Sequence, residues 1–196
     1  MVQDWTQARL LRRARQGDAD AFEQLVAPYE KRIYALCLRM LAHREDAQDA
    51  AQEAMLRLYR AMGSYRGDAQ LGTFIYRVTA NTCMDALRRR RVRAGESLEA
   101  LYEEGFSPAD SAPGPEEALL RGEENERLSR AIDALSEEMR LPLVLREVNE
   151  LSYEEVAQTL GVGMGTVKSR IHRAREKLAR MLTDTTAKGG EDGHAM

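Results

Sequence analysis

The sequence predicts an all-α protein made of two small helical domains. Leucine, alanine, arginine and glutamate are abundant, whereas aromatic residues make up only 6 % of the chain, and this composition favours helices over sheets. Apolar residues recur at three- and four-residue steps in the first half of the chain and again near its end, which is the period of amphipathic helices. The periodicity fails in between, where three of the five prolines lie. A chain of 196 residues is long enough for two such domains.

The N-terminal domain, residues 1–94, is predicted to contain four helices. Asp18 or Asp20 can cap the second helix, and Pro28 is expected to kink that helix or to make it start again. Gly63 is a suitable C-cap for the third helix. The four predicted helices cover residues 8–15, 20–42, 44–62 and 73–93.

The sequence also indicates where in the cell the protein is expected to be located. The longest apolar stretches are far shorter than the ~18 residues that a membrane span needs, and the charged N-terminus does not resemble a secretory signal. Cys37 and Cys83 have neither metal-ligand spacing nor the pattern of a disulfide framework. We therefore expect a cytoplasmic protein whose two cysteines are reduced thiols in the core.

The net charge of −3 conceals a strong asymmetry along the chain. Residues 94–127 carry ten acidic and two basic side chains, whereas residues 166–180 have a net charge of +5 and a second basic run spans residues 88–93. Two basic blocks around an acidic segment indicate a polyanion as a partner. The predicted order after the first domain is a flexible acidic linker over 95–124, a second domain over 125–184 and a disordered tail over 185–196.

The second domain is expected to begin with a helix near residue 124. Leu128, Ile132 and Leu135 fall on one face of such a helix. Pro142 lies where that helix would otherwise continue, so a break or kink is expected nearby.

Three glycines at positions 161, 163 and 165 allow two interpretations, a phosphate-binding loop or the turn between two helices. A Walker loop needs adjacent glycine and lysine after a strand, but here Val167 precedes Lys168 and a helical pattern precedes the glycines. The G-x-G-x-G spacing also differs from the G-x-G-x-x-G fingerprint of dinucleotide-binding proteins. A nucleotide-dependent enzyme is therefore the weaker alternative.

The residues around these glycines predict a helix-turn-helix. Ser152 and Glu155 have the spacing of a capping box at the start of a short helix, and Gly161 can supply the left-handed residue that ends it. A second helix is then expected to begin between Gly163 and Thr166. The apolar stripe of this second helix consists of Val167, Ile171, Ala174, Leu178, Met181 and Leu182. If the second helix is considered alone, a helix that is only structural and has a solvent-exposed charged face is an alternative explanation of its pattern.

Residues 145–178, LREVNELSYEEVAQTLGVGMGTVKSRIHRAREKL, resemble the C-terminal DNA-binding domain of bacterial RNA polymerase sigma factors. The subgroup they resemble is the extracytoplasmic-function (ECF) type of the sigma-70 family. The resemblance implies that the second helix reads a minus-35 element as duplex, with base contacts on its outer face and phosphate contacts by flanking cations. The implied residues are Thr166, Lys168, Ser169, His172, Arg173, Arg175 and Lys177.

Residues 46–91 resemble the second conserved region of the same family, which binds polymerase and opens the promoter. Their first segment, DAQDAAQE, is similar to the part of the family that docks on the clamp helices of the largest polymerase subunits. The resemblance implies polymerase contacts by Asp46, Asp49, Gln52, Glu53 and Arg57.

The loop GSYRGDAQ and the helix after it resemble the part of the family that captures an unpaired base of the minus-10 element. Stacking and hydrogen bonds must offset the cost of unpairing, and Tyr65 offers a ring while Asn81 offers an amide. Tyr76 is expected to pack in the core. The implied minus-10 residues are Tyr65, Arg66, Arg77, Asn81, Arg88, Arg89 and Arg90.

The resemblance as a whole implies a sigma factor with core RNA polymerase, double- and single-stranded promoter DNA and an anti-sigma factor as partners. It implies no catalytic residue, metal, cofactor or small-molecule substrate. A stand-alone dimeric helix-turn-helix regulator remains an alternative, and it would protect a two-fold symmetric DNA site without polymerase.

Overall fold

All regular structure in the described residues is helical, as the sequence predicts. A computed structural model describes residues 2–67, 69–94 and 127–188; the whole of the predicted linker, 95–124, and residues 189–196 of the predicted tail lie outside these residues. Helices α1–α5 form an N-terminal bundle and α6–α9 form a C-terminal bundle. Their bounds are Val2–Arg15 (α1), Ala19–Val26 (α2), Glu30–Leu41 (α3), Arg44–Met62 (α4), Leu71–Ala94 (α5), 127–133 (α6), Glu137–Glu147 (α7), Tyr153–Leu160 (α8) and Met164–Lys188 (α9).

The second predicted helix is divided in two at Pro28. Helix α2 ends at Val26, a 3-10 turn spans Ala27–Tyr29, and α3 begins at Glu30. Asp18 is the cap of α2, because its carboxylate accepts a hydrogen bond of 3.0 Å from the amide of Ala21. The predicted restart at Pro28 is therefore confirmed.

The N-terminal core lies where α3, α4 and α5 pack together. Cys37 on α3 and Cys83 on α5 are fully buried there as free thiols, as predicted, and their Sγ atoms lie 3.6 Å apart. The hydrogen bond that Cys83 donates to Cys37, together with burial, raises the pKa of the Cys83 thiol well above its ordinary value. Cys83 is thus held as a neutral thiol.

The predicted break near Pro142 is in the wrong place. Helix α6 ends at residue 133 and α7 begins at Glu137 after the N-cap Ser136, so the break precedes the proline by about two turns. The acidic first turn of α7 suits the positive end of its helix dipole, and Pro142 is buried inside α7. The turn, rather than the proline, separates the two helices.

Three further bounds differ from the prediction, the first being that α1 begins at Val2 and not at residue 8. Helix α5 begins at Leu71, two residues before the expected start. Helix α9 continues to Lys188, so residues 185–188 are helical and the tail prediction is wrong for them. The physical reason is that no glycine or proline interrupts the chain before Gly189.

The two bundles contact each other directly. Helix α7 packs against α3, and α8 packs against α5. The buried apolar side chains of both bundles form one continuous cluster. No local pattern in the sequence predicts this contact.

Candidate nucleic-acid interface

The helix-turn-helix forms as the sequence predicts. The Ser152 hydroxyl accepts a hydrogen bond of 3.2 Å from the Glu155 amide, and the Glu155 carboxylate accepts one of 2.7 Å from the Ser152 amide. Gly161 has a φ of 66°, which ends α8, and α9 begins at Met164. The glycines therefore join two helices, an arrangement unlike the strand-loop-helix of a phosphate-binding loop.

Helix α9 is anchored by its apolar stripe and presents its opposite face to solvent. Val167, Ile171 and Ala174 are buried against the rest of the bundle. The predicted minus-35 residues lie on the other side of the helix. Thr166, Lys168, His172, Arg173 and Arg175 are exposed, while Ser169 and Lys177 are half-buried.

Two of the predicted phosphate-binding cations are tied to the bundle itself. Arg175 forms an ion pair with Glu147 of α7, and this hydrogen bond raises the pKa of Arg175. The Lys177 ammonium donates a hydrogen bond of 3.3 Å to the carbonyl of Ala134. By contrast, Arg173 makes no ion pair with any described residue, so its guanidinium is available to a ligand.

Two residues near the start of α9 have weaker partners. The Lys168 ammonium lies 5.8 Å from the centre of the Tyr153 ring, within the range of a cation–π contact. His172 lies 3.6 Å from Glu176 on the same helix, and both side chains are more than half exposed. Neither arrangement removes these groups from solvent.

The predicted minus-10 residues lie on α5 and on the loop that precedes it. Arg66, Arg77 and Asn81 are exposed. Tyr65, by contrast, is buried: its ring centre lies 4.9 Å from that of Phe74, and its hydroxyl donates to the carbonyl of Ala69. The Tyr65 ring therefore packs against Phe74 and is not exposed to solvent as a stacking surface for a base.

The basic run at the end of α5 is partly paired. Arg88 lies 3.2 Å from Asp85, and Arg90 lies 3.6 Å from Asp46 of α4 while donating to the carbonyl of Leu41. Arg89 is exposed.

The predicted polymerase-binding residues all lie on α4, which packs against α5. Asp46, Asp49 and Gln52 are exposed, whereas Glu53 and Arg57 are half-buried. The structure thus places this set directly beside the minus-10 set.

Arg57 links α4 to α5. Its guanidinium donates to Glu53 at 2.8 Å and to Asp85 of α5 at 2.7 Å. These hydrogen bonds lower the pKa of both carboxyls and raise that of Arg57. Arg57 therefore contributes to the packing of the bundle as well as to its outer surface.

An exposed apolar groove on α4 was missed in the sequence. Leu56 and Tyr59 are 51 % and 39 % exposed, and they line a cavity of about 630 Å³ together with Phe22, Ile33 and Met55. Met55, Leu56 and Tyr59 follow the helical period, so the signal was present in the sequence as a second apolar stripe on α4.

Metal-binding clusters and membrane-spanning helices are both absent from the described part of the chain. Among residues 2–67, 69–94 and 127–188, no group of three or more His, Cys, Asp or Glu side chains could hold a metal ion. No helix in the same part of the chain is long and apolar enough to cross a bilayer.

Known proteins match both bundles. Residues 25–93 match the family described as Sigma-70 region 2, and residues 125–178 match the family described as Sigma-70, region 4. The chain is 38 % identical to the RNA polymerase sigma-H factor of Pseudomonas aeruginosa, over 89 % of this chain and 92 % of that protein. The chain belongs to the ECF group of the sigma-70 family.

Two further ECF sigma factors show similar agreement. Identity is 34 % with SigW of Bacillus subtilis, over 89 % of this chain and 95 % of that protein. It is 35 % with the sigma-E factor of Escherichia coli strain K12, over 91 % and 95 %. The N-terminal bundle is accordingly region 2 of the sigma factor and the C-terminal bundle is region 4.

Solved structures agree on the fold. CnrH, in complex with the cytosolic domain of CnrY, gives a TM-score of 0.66 at 23 % identity over 91 % of this chain and 98 % of that one. RpoE of Bartonella quintana, in complex with the anti-sigma factor NepR, gives 0.64 at 21 % identity over 83 % and 96 %. As a sigma factor, the chain acts in promoter-directed transcription.

Proposed function

We propose that this sigma factor binds core RNA polymerase, reads a minus-35 element as duplex through α9, and holds a minus-10 element as a separated strand along α5. The observation that carries the proposal is the outer face of α9, which follows the capped helix α8, is anchored by buried apolar residues, and leaves His172 and Arg173 exposed. The other assignments depend on membership in the family and on the contacts of α4 and α5.

The start of α9 has the chemistry of major-groove recognition. Arg173 can donate two hydrogen bonds to the O6 and N7 atoms of guanine, and Ser169 and His172 can each donate to a base edge or accept from one. Lys168 lies beside them and suits a phosphate. The pairing of Arg175 and Lys177 with the bundle gives them a smaller part in phosphate binding.

The outer face of α5 suits a single strand. Positions 77, 81 and 88 lie within about 40° of one another on a helix of 100° per residue, so Arg77, Asn81 and Arg88 share one face. The Asn81 amide can both donate to and accept from a base edge, while the two arginines can follow the phosphates. The buried pair Tyr65 and Phe74 supports the loop at the start of this face.

Helix α4 offers polymerase a surface of two kinds. Asp49 and Gln52 are exposed and polar, and Leu56 and Tyr59 add an exposed apolar groove beside them. A buried apolar centre with a polar rim is the usual composition of a protein interface. We assign Glu53 and Arg57 a supporting part, because both are engaged with α5.

The remaining partners follow from the relatives. Two similar solved structures are complexes with partner proteins, one of them named as an anti-sigma factor, and we propose an anti-sigma factor as a partner here. The protein would act in the cytoplasm as a regulatory subunit, with no catalytic residue, metal or cofactor of its own.

In vitro transcription with purified core polymerase on a random promoter library tests the proposal. The expected result is a set of active promoters that share two motifs at a fixed spacing. No transcripts on any template, or a symmetric footprint formed without polymerase, would overturn the proposal and favour a stand-alone dimeric regulator.

A further inference from the structure

Helix α1 carries a group of arginines to which the proposed function assigns no contact. Its members are Arg9, Arg12, Arg13 and Arg15. No acidic residue lies between positions 5 and 17, and Arg13 forms an ion pair of 2.7 Å with Asp18. The other three are exposed and make no ion pair within the part of the chain that the structure describes. Arg9, Arg12 and Arg15 together form the α1 arginine face.

The α1 arginine face points away from the rest of the bundle. At 100° per residue, Arg9, Arg12 and Arg15 lie within about 120° of one another around the helix. Ala14, on the opposite side, is buried and Leu10 is half-buried. A rise of 1.5 Å per residue puts Arg9 and Arg15 about 9 Å apart along the axis, which spans two to three phosphates of one DNA strand at about 3.4 Å each.

The clustering of these cations costs helix stability, so a structural role does not account for it. Arg9 lies three residues before Arg12 and four before Arg13, and like charges at such spacings destabilise a helix. Cations in the last turn suit the negative end of the helix dipole, but this effect falls off within that turn and does not extend to Arg9. An anionic partner would relieve the repulsion.

The end of α1 is fixed against the end of α4. A Cβ atom at Gly63, the first residue of the loop between α4 and α5, would lie 3.6 Å from the Arg15 carbonyl. The Tyr59 hydroxyl donates a hydrogen bond of 2.9 Å to the carbonyl of Gly17, just after α1. These contacts place the α1 arginine face beside the loop that precedes α5.

Helix α1 also borders the start of α5. Leu11 of α1 lines a cavity of about 610 Å³ together with Tyr65 of the loop and Leu71 of α5. Arg66, next to Tyr65, is exposed and has no ion pair among the described residues. The loop cation and the α1 arginine face thus lie on neighbouring segments of region 2.

The direction of the promoter decides which nucleotides would meet α1. Region 4 follows α5 in the chain, and the basic run 88–93 lies at the end of α5. Since region 4 is proposed to bind the upstream minus-35 element, the end of α5 faces upstream and the loop before α5 faces downstream. A separated strand that leaves this loop in the downstream direction therefore meets α1 next.

We infer that the α1 arginine face binds the phosphates of the separated strand just downstream of the minus-10 element. The inference rests on the proposed function and extends the DNA contact of region 2 beyond the element that it reads. A guanidinium group offers donors and no acceptor, which suits phosphate oxygens. Because phosphate contacts carry no sequence information, the contact is independent of the bases that follow the minus-10 element.

Two DNA probes bound by the complete holoenzyme test the inference. Both carry the duplex minus-35 element and the unpaired minus-10 strand of a promoter recovered from the random library. The short probe ends at the minus-10 element, and the long probe continues for about six unpaired nucleotides, which match the 3.4 Å spacing with room to spare.

Arg9→Gln combined with Arg12→Gln removes two cations from the α1 arginine face. Lys31→Gln combined with Arg44→Gln is the matched control, since it removes two exposed cations from α3 and α4. Circular dichroism checks that each variant is folded.

The long probe should bind the wild-type holoenzyme more tightly than the short probe. This gain should shrink in the α1 variant and persist in the control, whatever the base sequence of the extension. Two phosphate contacts on a single strand contribute about 1.4 to the slope of log affinity against log salt, at about 0.7 each. The part of the gain that depends on α1 should therefore fall about sevenfold as salt rises from about 50 to about 200 mM.

A gain that is absent, or that is equal in the wild type and the α1 variant, would overturn the inference and leave the proposed function standing, because the short probe still binds. An α1 variant that lost affinity equally for both probes, or bound core polymerase more weakly without DNA, would make the α1 arginine face a protein contact and also overturn the inference. A wild-type holoenzyme that bound neither probe would overturn the proposed function and the inference with it.

Discussion

Single hydrogen bonds decide where the elements of this protein begin and how they meet. The Ser152 and Glu155 pair closes the first turn of α8 from both directions, and the position of α8 sets that of α9. We expect Ser152→Ala to lower the free energy of unfolding by about 1 kcal/mol, because one amide of the first turn loses its acceptor. Urea denaturation measures the change, and Ser152→Thr should retain most of the stability. Equal stability of the alanine variant would contradict the capping role.

The pairing of Asp85 with Arg57 predicts that the free energy of unfolding depends on pH. Arg57 lowers the pKa of the Asp85 carboxyl below its ordinary 3.8 in the folded chain, so the pair stabilises the fold above that value and the contribution is lost as the pH falls through the lowered pKa. Asp85→Asn should therefore be less stable than the wild type at pH 7, with a difference that shrinks as the pH falls below 3.8 and through the lowered pKa. Urea denaturation across this range would reject the pairing if the difference stayed constant.

Whole elements carry the proposed contacts, and on α9 the exposed Arg173 makes no ion pair with any described residue. Arg173→Ala should change the minus-35 sequence preference and cost about 1–3 kcal/mol of discrimination at one base pair, because a two-bond contact to guanine is lost. Arg180→Ala, an exposed arginine two turns further along, is the matched control and should leave the recovered motif unchanged. Selection from the random promoter library measures both. A uniform loss without a change in the motif would make Arg173 a phosphate contact.

The exposed apolar groove on α4 predicts that a substitution there weakens the binding of core polymerase. Leu56→Glu should weaken binding of core polymerase about tenfold or more, since a leucine contributes about 1.5 kcal/mol or more when buried and 1.4 kcal/mol corresponds to tenfold. Val92→Glu changes another exposed apolar residue, on α5, and should bind as the wild type does. Titration of labelled sigma factor with core polymerase distinguishes them, and equal affinity of all three would remove the α4 groove from the interface.

At the scale of the whole molecule, the proposed function has the two regions act in sequence on one promoter. Asn81→Ala should impair promoter opening more than formation of the closed complex, because the role proposed for the amide is to bind an unpaired base. Transcription on a template melted in advance at the minus-10 element should recover most of the activity. Equal losses on duplex and melted templates would reject this part for Asn81.

Local features were determined by the sequence alone. The restart at Pro28, the cap at Ser152 and the left-handed Gly161 each depend on residues within one or two turns, so periodicity and capping rules were sufficient to find them. The exposed face of α9 followed for the same reason. The misplaced break near Pro142 shows the limit of such rules. The turn at residues 134–136 contains neither proline nor glycine, and Leu135 within it is buried in the core.

Only the tertiary structure decided which of the charged residues are free and how the two regions meet. Arg140 and Asn149 are polar residues of a kind that is usually exposed, yet both are buried. Each donates a hydrogen bond to a carbonyl about a hundred positions earlier in the chain. Arg57 and Arg175 were expected at external contacts but are paired inside their own bundles. Such pairings require distant segments to be brought together by burial of apolar surface, and no local pattern specifies which helix faces will meet.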